Sequence, residues 1–299
     1  MAFRSGFIAI VGRPNVGKST LMNLLAGEKV AIMSSKPQTT RHSIRAILTT
    51  DEYQMVFVDT PGIHKPKNKL GQFMIKEAYN AFEDVDVILY LIEATDKKVG
   101  PGDSIIIEEL KKTDAPVILL INKIDLVEKT ELLPLMAKFS ELHDFQEIIP
   151  ISAIDAETKP LVLDAIYKLL PEGDKFYPDD MLTDQNERVM VQELIREKLL
   201  QLLSDEVPHG TGIEVVRFRE NEEKGIIEID ANIYCEKESH KGIIIGKDGA
   251  MLKKVGMLAR EDIERLLGSK VFLKLWVKVK DDWRNSDFML KELGYKHLK

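Results

Sequence analysis

The run Gly12-Arg13-Pro14-Asn15-Val16-Gly17-Lys18-Ser19 constrains this chain more than any other stretch of its sequence. It satisfies the pattern G-x-x-x-x-G-K-[ST]. It follows the apolar run "FIAIV" at Phe7 and precedes a helical pattern. Strand, glycine-rich turn and helix N-terminus together make an anion cradle. Glycines let backbone N–H groups approach phosphate oxygens, and the helix end adds partial positive charge. In this reading Lys18 reaches the β- and γ-phosphates of a nucleotide, and the Ser19 hydroxyl binds Mg2+. The competing reading is a chance match in an ordinary strand-to-helix turn, and the flanking pattern argues against it.

The pattern around the loop repeats. Further buried runs stand at "QMVFVD" (Gln54), "DVILYLI" (Asp86), "PVILLIN" (Pro116) and "EIIPIS" (Glu147), with room for a crossover helix between most of them. Apolar runs alternating with helices imply a largely parallel sheet covered on both faces. One pair breaks the rule. "HSIRAILTT" and "YQMVFVDT" are separated only by Asp51 and Glu52, which predicts an antiparallel hairpin at the sheet edge.

Residues 169–184, "LLPEGDKFYPDDMLTD", collect Pro, Gly and Asp and read as a linker. Beyond it, Val191, Leu194, Ile195, Leu199 and Leu202 recur at helical spacing. Two strand-like stretches, a short helix, a longer helix and the strand "VFLKLWVKVK" follow. The expected organisation is a nucleotide-binding domain over 1–170, a linker over 171–186 and a smaller α+β domain over 187–299. A chain of 299 residues suits two domains better than one.

Three more motifs follow the first in order. "DTPG" (Asp59, Thr60, Pro61, Gly62) ends one buried run and can present a carboxylate near Mg2+. "NKID" (Asn122, Lys123, Ile124, Asp125) ends another, where Asp125 can accept two hydrogen bonds from guanine. "ISA" (Ile151, Ser152, Ala153) ends the last, where a backbone N–H can meet the guanine carbonyl. Ligands of such sheets sit at the carboxyl ends of the strands. A site that reads base edges with buried hydrogen bonds discriminates by factors of about 10⁴ or more, so GTP is expected over ATP.

"GRPNVGKST", "QTTR" at Gln38, "DTPGIHKPK" and "NKID" together resemble the Era family of bacterial GTPases, and the resemblance covers nearly the whole chain. It implies a P-loop GTPase domain with a mostly parallel sheet (an α/β fold), followed by a smaller α+β type II KH domain. It also implies a switch I over 30–41, with Thr40 completing the Mg2+ shell, and a switch II over 60–73. Ile63 stands where many small GTPases place a water-orienting glutamine. Related GTPases with an asparagine at the position of Asn15 use a bound K+, so K+-stimulated hydrolysis is expected, with Asn15, Lys18 and Thr40 in the catalytic group. His64 could be a base, or a solvated histidine in a mobile loop.

A second glycine turn, Gly246-Lys247-Asp248-Gly249, follows the short apolar run ending at Ile245 and precedes a helix with a stripe of Leu252, Val255, Ala259, Ile263 and Leu266. G-x-x-G alone is weak. Its setting resembles a type II KH domain, in which this loop clamps a nucleic-acid backbone. Charge supports that reading although the chain carries −7 overall. Residues 241–280 hold ten Lys and Arg against four acids, a net of +6. Lys247, Lys253 and Lys254 lie closest to the turn. Asp248 is anomalous beside a phosphate, and a helix-capping role or a favourable interaction with the helix dipole would account for it. In the last strand, Phe272 and Trp276 alternate with lysines, which fits either base stacking or ordinary sheet packing.

The resemblance implies GTP and GDP with Mg2+ as cofactors, and the 3′ region of small-subunit ribosomal RNA and the 30S subunit as partners of a monomeric protein. The single cysteine, Cys235, excludes an intrachain disulfide and suits a cytoplasmic location. The alternative is a switch held at the inner face of the membrane, its basic segment meeting anionic lipid.

Overall fold

A computed structural model describes residues 2–295 except 35, 37, 38, 97 and 224. Gln38, which opens the "QTTR" signature, lies outside the described residues. The chain divides into two compact units, Met1–Lys65 with Met74–Asp184, and Pro66–Phe73 with Gln185–Lys299.

The first unit is a six-stranded sheet. Its strands are β1 (Arg4–Gly12), β2 (Ile44–Thr49), β3 (Tyr53–Asp59), β4 (Val87–Glu93), β5 (Val117–Asn122) and β6 (Glu147–Pro150), in the order β2-β3-β1-β4-β5-β6. All neighbouring pairs are parallel except β2 and β3, which form the antiparallel edge hairpin that the two-residue spacing predicts. The helices are α1 (Lys18–Ala26), α2 (Lys69–Asn80), which belongs to this unit from Met74 onward, α3 (Pro101–Leu110), α4 (Lys129–Ser140) and α5 (Thr158–Leu169).

The period of two along β1 sorts its residues between two cores. Ile8 and Ile10 pack with Leu21, Met22 and Leu25 of α1 and with Val162 and Ile166 of α5. Ala9 and Val11 pack with Ile106 and Leu110 of α3 and with Leu135 and Phe139 of α4. β1 is flanked by β3 and β4, so the connections after these strands diverge, and a crevice opens at its carboxyl end.

The segment expected to be a linker is held to this sheet as far as Asp184. Gln54 is fully buried. Its Oε1 accepts from the N–H groups of Phe176 and Tyr177 at 2.7 and 3.0 Å, and its Nε2 donates to the Tyr177 carbonyl and to Thr49 Oγ1, both at 2.9 Å. Ile47 N donates to the Leu182 carbonyl at 2.9 Å, and Arg45 pairs with Asp184 at 2.7 Å. Proline and glycine content marks irregular backbone but does not show where its polar groups are satisfied.

The second unit has the order α-β-β-α-α-β: α6 (Glu187–Leu202), β7 (Gly212–Asn221), β8 (Ile226–Cys235), α7 (Glu238–Ile245), α8 (Ala250–Leu267) and β9 (Lys270–Val279), with a short α9 (Asp287–Glu292) after them. Asn186 caps α6, its side chain accepting from Arg188 N at 2.8 Å. β8 is central, antiparallel to β7 and parallel to β9. Val191, Ile195 and Leu199 of α6 and Val255, Ala259 and Ile263 of α8 are buried, while Leu202, Leu252 and Leu266 are half-buried. Apolar periodicity missed the charged groups buried on α6. Arg196 pairs with Glu193 inside the fold, and Lys198 bonds both Glu197 and Asp262 at 2.8 and 2.5 Å.

Candidate functional site

The phosphate loop closes β1 and opens α1 at the crevice. Gly17 is left-handed (φ 103°), and a Cβ there would come 2.2 Å from the Asn122 side-chain nitrogen. Only glycine fits. Asn122 in turn joins two predicted motifs. Its Nδ2 donates to the Val16 carbonyl at 2.8 Å, and its Oδ1 accepts from Ala153 N at 2.9 Å. Lys123 is also left-handed (φ 66°). Its ammonium donates to the Asn15 carbonyl at 2.9 Å and pairs with Glu93. Asp125 is exposed, and one of its oxygens accepts from Ser152 Oγ at 2.6 Å. Ile124 N donates to the Ile151 carbonyl at 3.3 Å. The two motifs expected to read guanine are therefore one bonded construction.

Lys18 is buried, and its ammonium donates to the carbonyls of Gly12 and Arg13 at 3.2 and 2.9 Å. Burial lowers its pKa to about 8, against the opposing attraction of Asp59. A buried ammonium with a lowered pKa is poised to gain from an incoming polyanion.

Ser19, Thr40 and Asp59, distant in sequence, converge. Ser19 Oγ donates to Asp59 Oδ2 at 2.6 Å, Thr40 Oγ1 donates to the same oxygen at 2.9 Å, and the two hydroxyls lie 3.1 Å apart. Asp59 is fully buried, and its Oδ1 has no hydrogen-bond partner. Burial pushes its carboxyl pKa up, while Lys18 holds it down. A buried, unsatisfied carboxylate oxygen costs about 1–3 kcal/mol or more, which a bound cation would relieve. Two hydroxyls and one hard carboxylate suit Mg2+ with its remaining positions on phosphate and water.

The turn after Asp59 is tightly seated. Thr60 Oγ1 donates to the Ile10 carbonyl at 2.9 Å, and Ile63 N donates to the Gly12 carbonyl at 3.4 Å. A Cβ on Gly62 would lie 2.6 Å from Pro14 N. Pro61 is buried beside them. Ile63 is 2% exposed and belongs to the core beneath β1, so its side chain cannot face an attacking water. His64 donates Nδ1–H to the Gly62 carbonyl at 2.7 Å, so that nitrogen is not available as a base. Among the loop residues, Arg13 turns its side chain away from the crevice, towards Asp103 and Asp96.

In the second unit, Gly246 N donates to the Gly242 carbonyl at 2.8 Å as α7 ends, and Gly249 N donates to the Gly246 carbonyl at 3.2 Å. Gly246 has φ 73°, and a Cβ there would meet Met251 Cβ at 2.7 Å. Lys247, Lys253 and Lys254, all exposed, stand around the turn, while Ile245 is half-buried behind it. Asp248 does not cap α8. The cap of α8 is Gly249, with no side-chain cap bond, and Asp248 itself is left-handed at φ 53°. Aspartate is among the few residues that tolerate that region. The Asp-Gly pair carried this signal in the sequence. In β9, Phe272, Lys274, Trp276 and Lys278 are exposed while the odd positions turn inward, and the Lys274 ammonium lies 5.0 Å from the Phe272 ring centre.

Fold and site define a P-loop GTPase carrying a C-terminal KH unit. Residues 7–123 match the family described as a 50S ribosome-binding GTPase, and residues 206–284 match the KH domain. GTPase Era of Clostridium kluyveri is 57% identical over 293 residues, covering 98% of this chain and 99% of the relative. GTPase Era of Ruminiclostridium cellulolyticum is 56% identical, covering 99% of each. Among solved structures, a single-residue variant of Aquifex aeolicus Era bound to GDP and aluminium fluoride is 40% identical, with a TM-score of 0.93 over 98% of this chain and 99% of that one. A structure of Era with MgGDPNP and nucleotides 1506–1542 of 16S ribosomal RNA matches equally, with the same identity, TM-score and coverage. The chain belongs to the Era family of GTPases.

Proposed function

We propose that this chain hydrolyses GTP with Mg2+, and that its nucleotide state gates binding of the 3′ region of 16S ribosomal RNA during assembly of the 30S subunit. The observation that carries the reading is the convergence of Ser19 and Thr40 on one buried Asp59, with its free Oδ1, in a chain that also carries the Gly246–Gly249 turn ringed by lysines. Thr40 belongs to the segment assigned to switch I. A segment held to the metal site only while the γ-phosphate is present is an order–disorder switch.

In this reading Ser19, Thr40 and Asp59 hold Mg2+, which neutralises charge on the β- and γ-phosphates. Lys18 exchanges its carbonyl partners for phosphate oxygens. Asn15, Val16 and Gly17 present backbone N–H groups. Asn122, Lys123, Asp125 and Ala153 form the guanine pocket. Backbone groups of the ordered switch I position the attacking water, since Ile63 is buried. Ile245, Gly246, Lys247, Gly249, Lys253 and Lys254 meet the RNA backbone and its unstacked bases. Such a partner fits a cytoplasmic protein. No helix among the described residues is long and apolar enough to cross a membrane.

Two sets of variants test the reading. Asp125→Asn is expected to shift preference from guanine to xanthine nucleotides, and unchanged GTP preference refutes the base-reading role. Gly246→Asp with Gly249→Asp is expected to abolish RNA binding while basal hydrolysis stays. The 2.7 Å approach to Met251 means that this pair also strains the loop. Lys253→Glu with Lys254→Glu, at exposed positions, separates charge from strain. Binding to anionic liposomes without RNA sequence preference would favour the membrane-held switch instead.

A further inference from the structure

Arg13 stands inside the phosphate loop, where a cation is most simply assigned to a phosphate. Its guanidinium points elsewhere. Nε lies 2.9 Å from Asp103 Oδ1, on a carboxylate whose side chain is 1% exposed, and Nη2 pairs with Asp96. Asp103 also accepts from Tyr90 Oη at 2.9 Å and from Gly100 N at 3.0 Å. A hydroxyl from β4 and an N–H from the loop before α3 thus hydrogen-bond one buried carboxylate, and the Arg13 guanidinium from the phosphate loop pairs with it by charge. Burial and the neighbouring Asp103 push the Tyr90 phenol pKa up, so it stays a donor. A Cβ on Gly102 would lie 2.9 Å from Arg13 Cδ, so the Arg13 stem lies against the first turn of α3.

The main chain of Arg13 faces the other way. Its carbonyl accepts from Lys18 at 2.9 Å. On either side of it, Gly12 accepts from Ile63 N and Pro14 abuts Gly62. The side chain therefore anchors to α3 the backbone on which both Lys18 and the Asp59–Gly62 turn rest.

We propose that Arg13 and Asp103 form a positioning pair for GTP hydrolysis, tying the phosphate loop to the start of α3, and that Arg13 is not a phosphate ligand. Two carboxylates already neutralise its guanidinium. Phosphoryl transfer depends on positioning and fixed charge, so a loop released from this anchor loses rate more than affinity. The inference rests on the GTPase reading, and hydrolysis by the wild-type chain is its control.

A double-mutant cycle decides it. The kcat, KM and GDP Kd are measured for Arg13→Ala, Asp103→Asn and the double variant. Each single change is expected to lower kcat by about tenfold, with KM and Kd moved less than about threefold. The double variant should lose about tenfold rather than about a hundredfold, because the two residues act as one unit. Arg13→Lys, which keeps a cation within reach of a carboxylate, should return to within about threefold of wild type. If Asp103→Asn fails to fold, Asp96→Asn at its partly exposed position runs the same cycle with the same criteria. Losses that multiply in the double variant overturn the proposal. So does an Arg13→Ala that weakens GDP binding tenfold while the carboxylate variants behave as wild type, or a set of variants with unchanged kcat.

Discussion

At the scale of single residues, two side chains make testable statements. Lys18 titrates near 8 when the crevice holds no phosphate, against an ordinary value of 10.5. Between these values the unfolded chain binds a proton that the folded chain does not, so apo stability rises with pH across that window. Phosphate favours the ammonium, so nucleotide binding takes up a proton above pH 8. Affinity for GDP should fall by about tenfold between pH 7 and pH 9, with proton uptake seen by calorimetry in buffers of different ionisation enthalpy. A flat profile would show that Lys18 is charged throughout. Asp248 makes the second statement. It occupies a left-handed position and caps nothing. Asp248→Asn should preserve stability and strengthen RNA binding by removing a charge next to phosphate. Asp248→Ala should cost about 1 kcal/mol in a urea titration, since alanine bears the left-handed penalty that Asp and Asn partly escape. Equal stability of the two variants would contradict this. The sequence placed both residues in the right loops. The cap reading of Asp248 fails because a backbone angle is not written in residue type, except through the Asp-Gly pair that favours positive φ.

At the scale of elements, what was legible followed from short-range order. The edge hairpin was readable from a two-residue spacing, and the parallel strands from apolar runs alternating with helices. The strap from residue 171 to Asp184 was not. Its anchor, Gln54, lies about 120 residues away and reads in sequence as an ordinary polar residue near the start of a strand. Its amide meets the strap backbone with three hydrogen bonds inside the fold. Arg13 and Asp103, and the charged cluster of α6, escaped the sequence because their pairings likewise depend on the fold. Gln54→Ala should destabilise the first unit by about 1–3 kcal/mol, because part-buried backbone groups of Phe176 and Tyr177 lose their partners. Hydrogen exchange should rise sharply at the Phe176 and Tyr177 amides. Unchanged protection there would mean that the strap is held by its other contacts.

At the scale of the whole molecule, the two glycine turns suit two kinds of phosphate. The first is rigid. Its glycines are fixed by Asn122 and Leu91, and its lysine is buried. The second is open on its outer side, with nothing within 4 Å of a Cβ at Gly249 and lysines around it. A buried lysine suits one compact triphosphate, and an open ring of lysines suits a polymer that arrives along a surface. The −7 charge of the chain and the +6 charge of residues 241–280 are therefore compatible. In the proposed function, nucleotide state controls RNA binding. The most direct measurement of this control is the affinity for an RNA spanning the 3′ end of 16S ribosomal RNA, at fixed salt, with GDP and with a non-hydrolysable GTP analogue. Binding at least about tenfold tighter with the analogue is expected, a coupling of about 1.4 kcal/mol, lost in the Lys253→Glu, Lys254→Glu variant. Equal affinity in the two nucleotide states would contradict it.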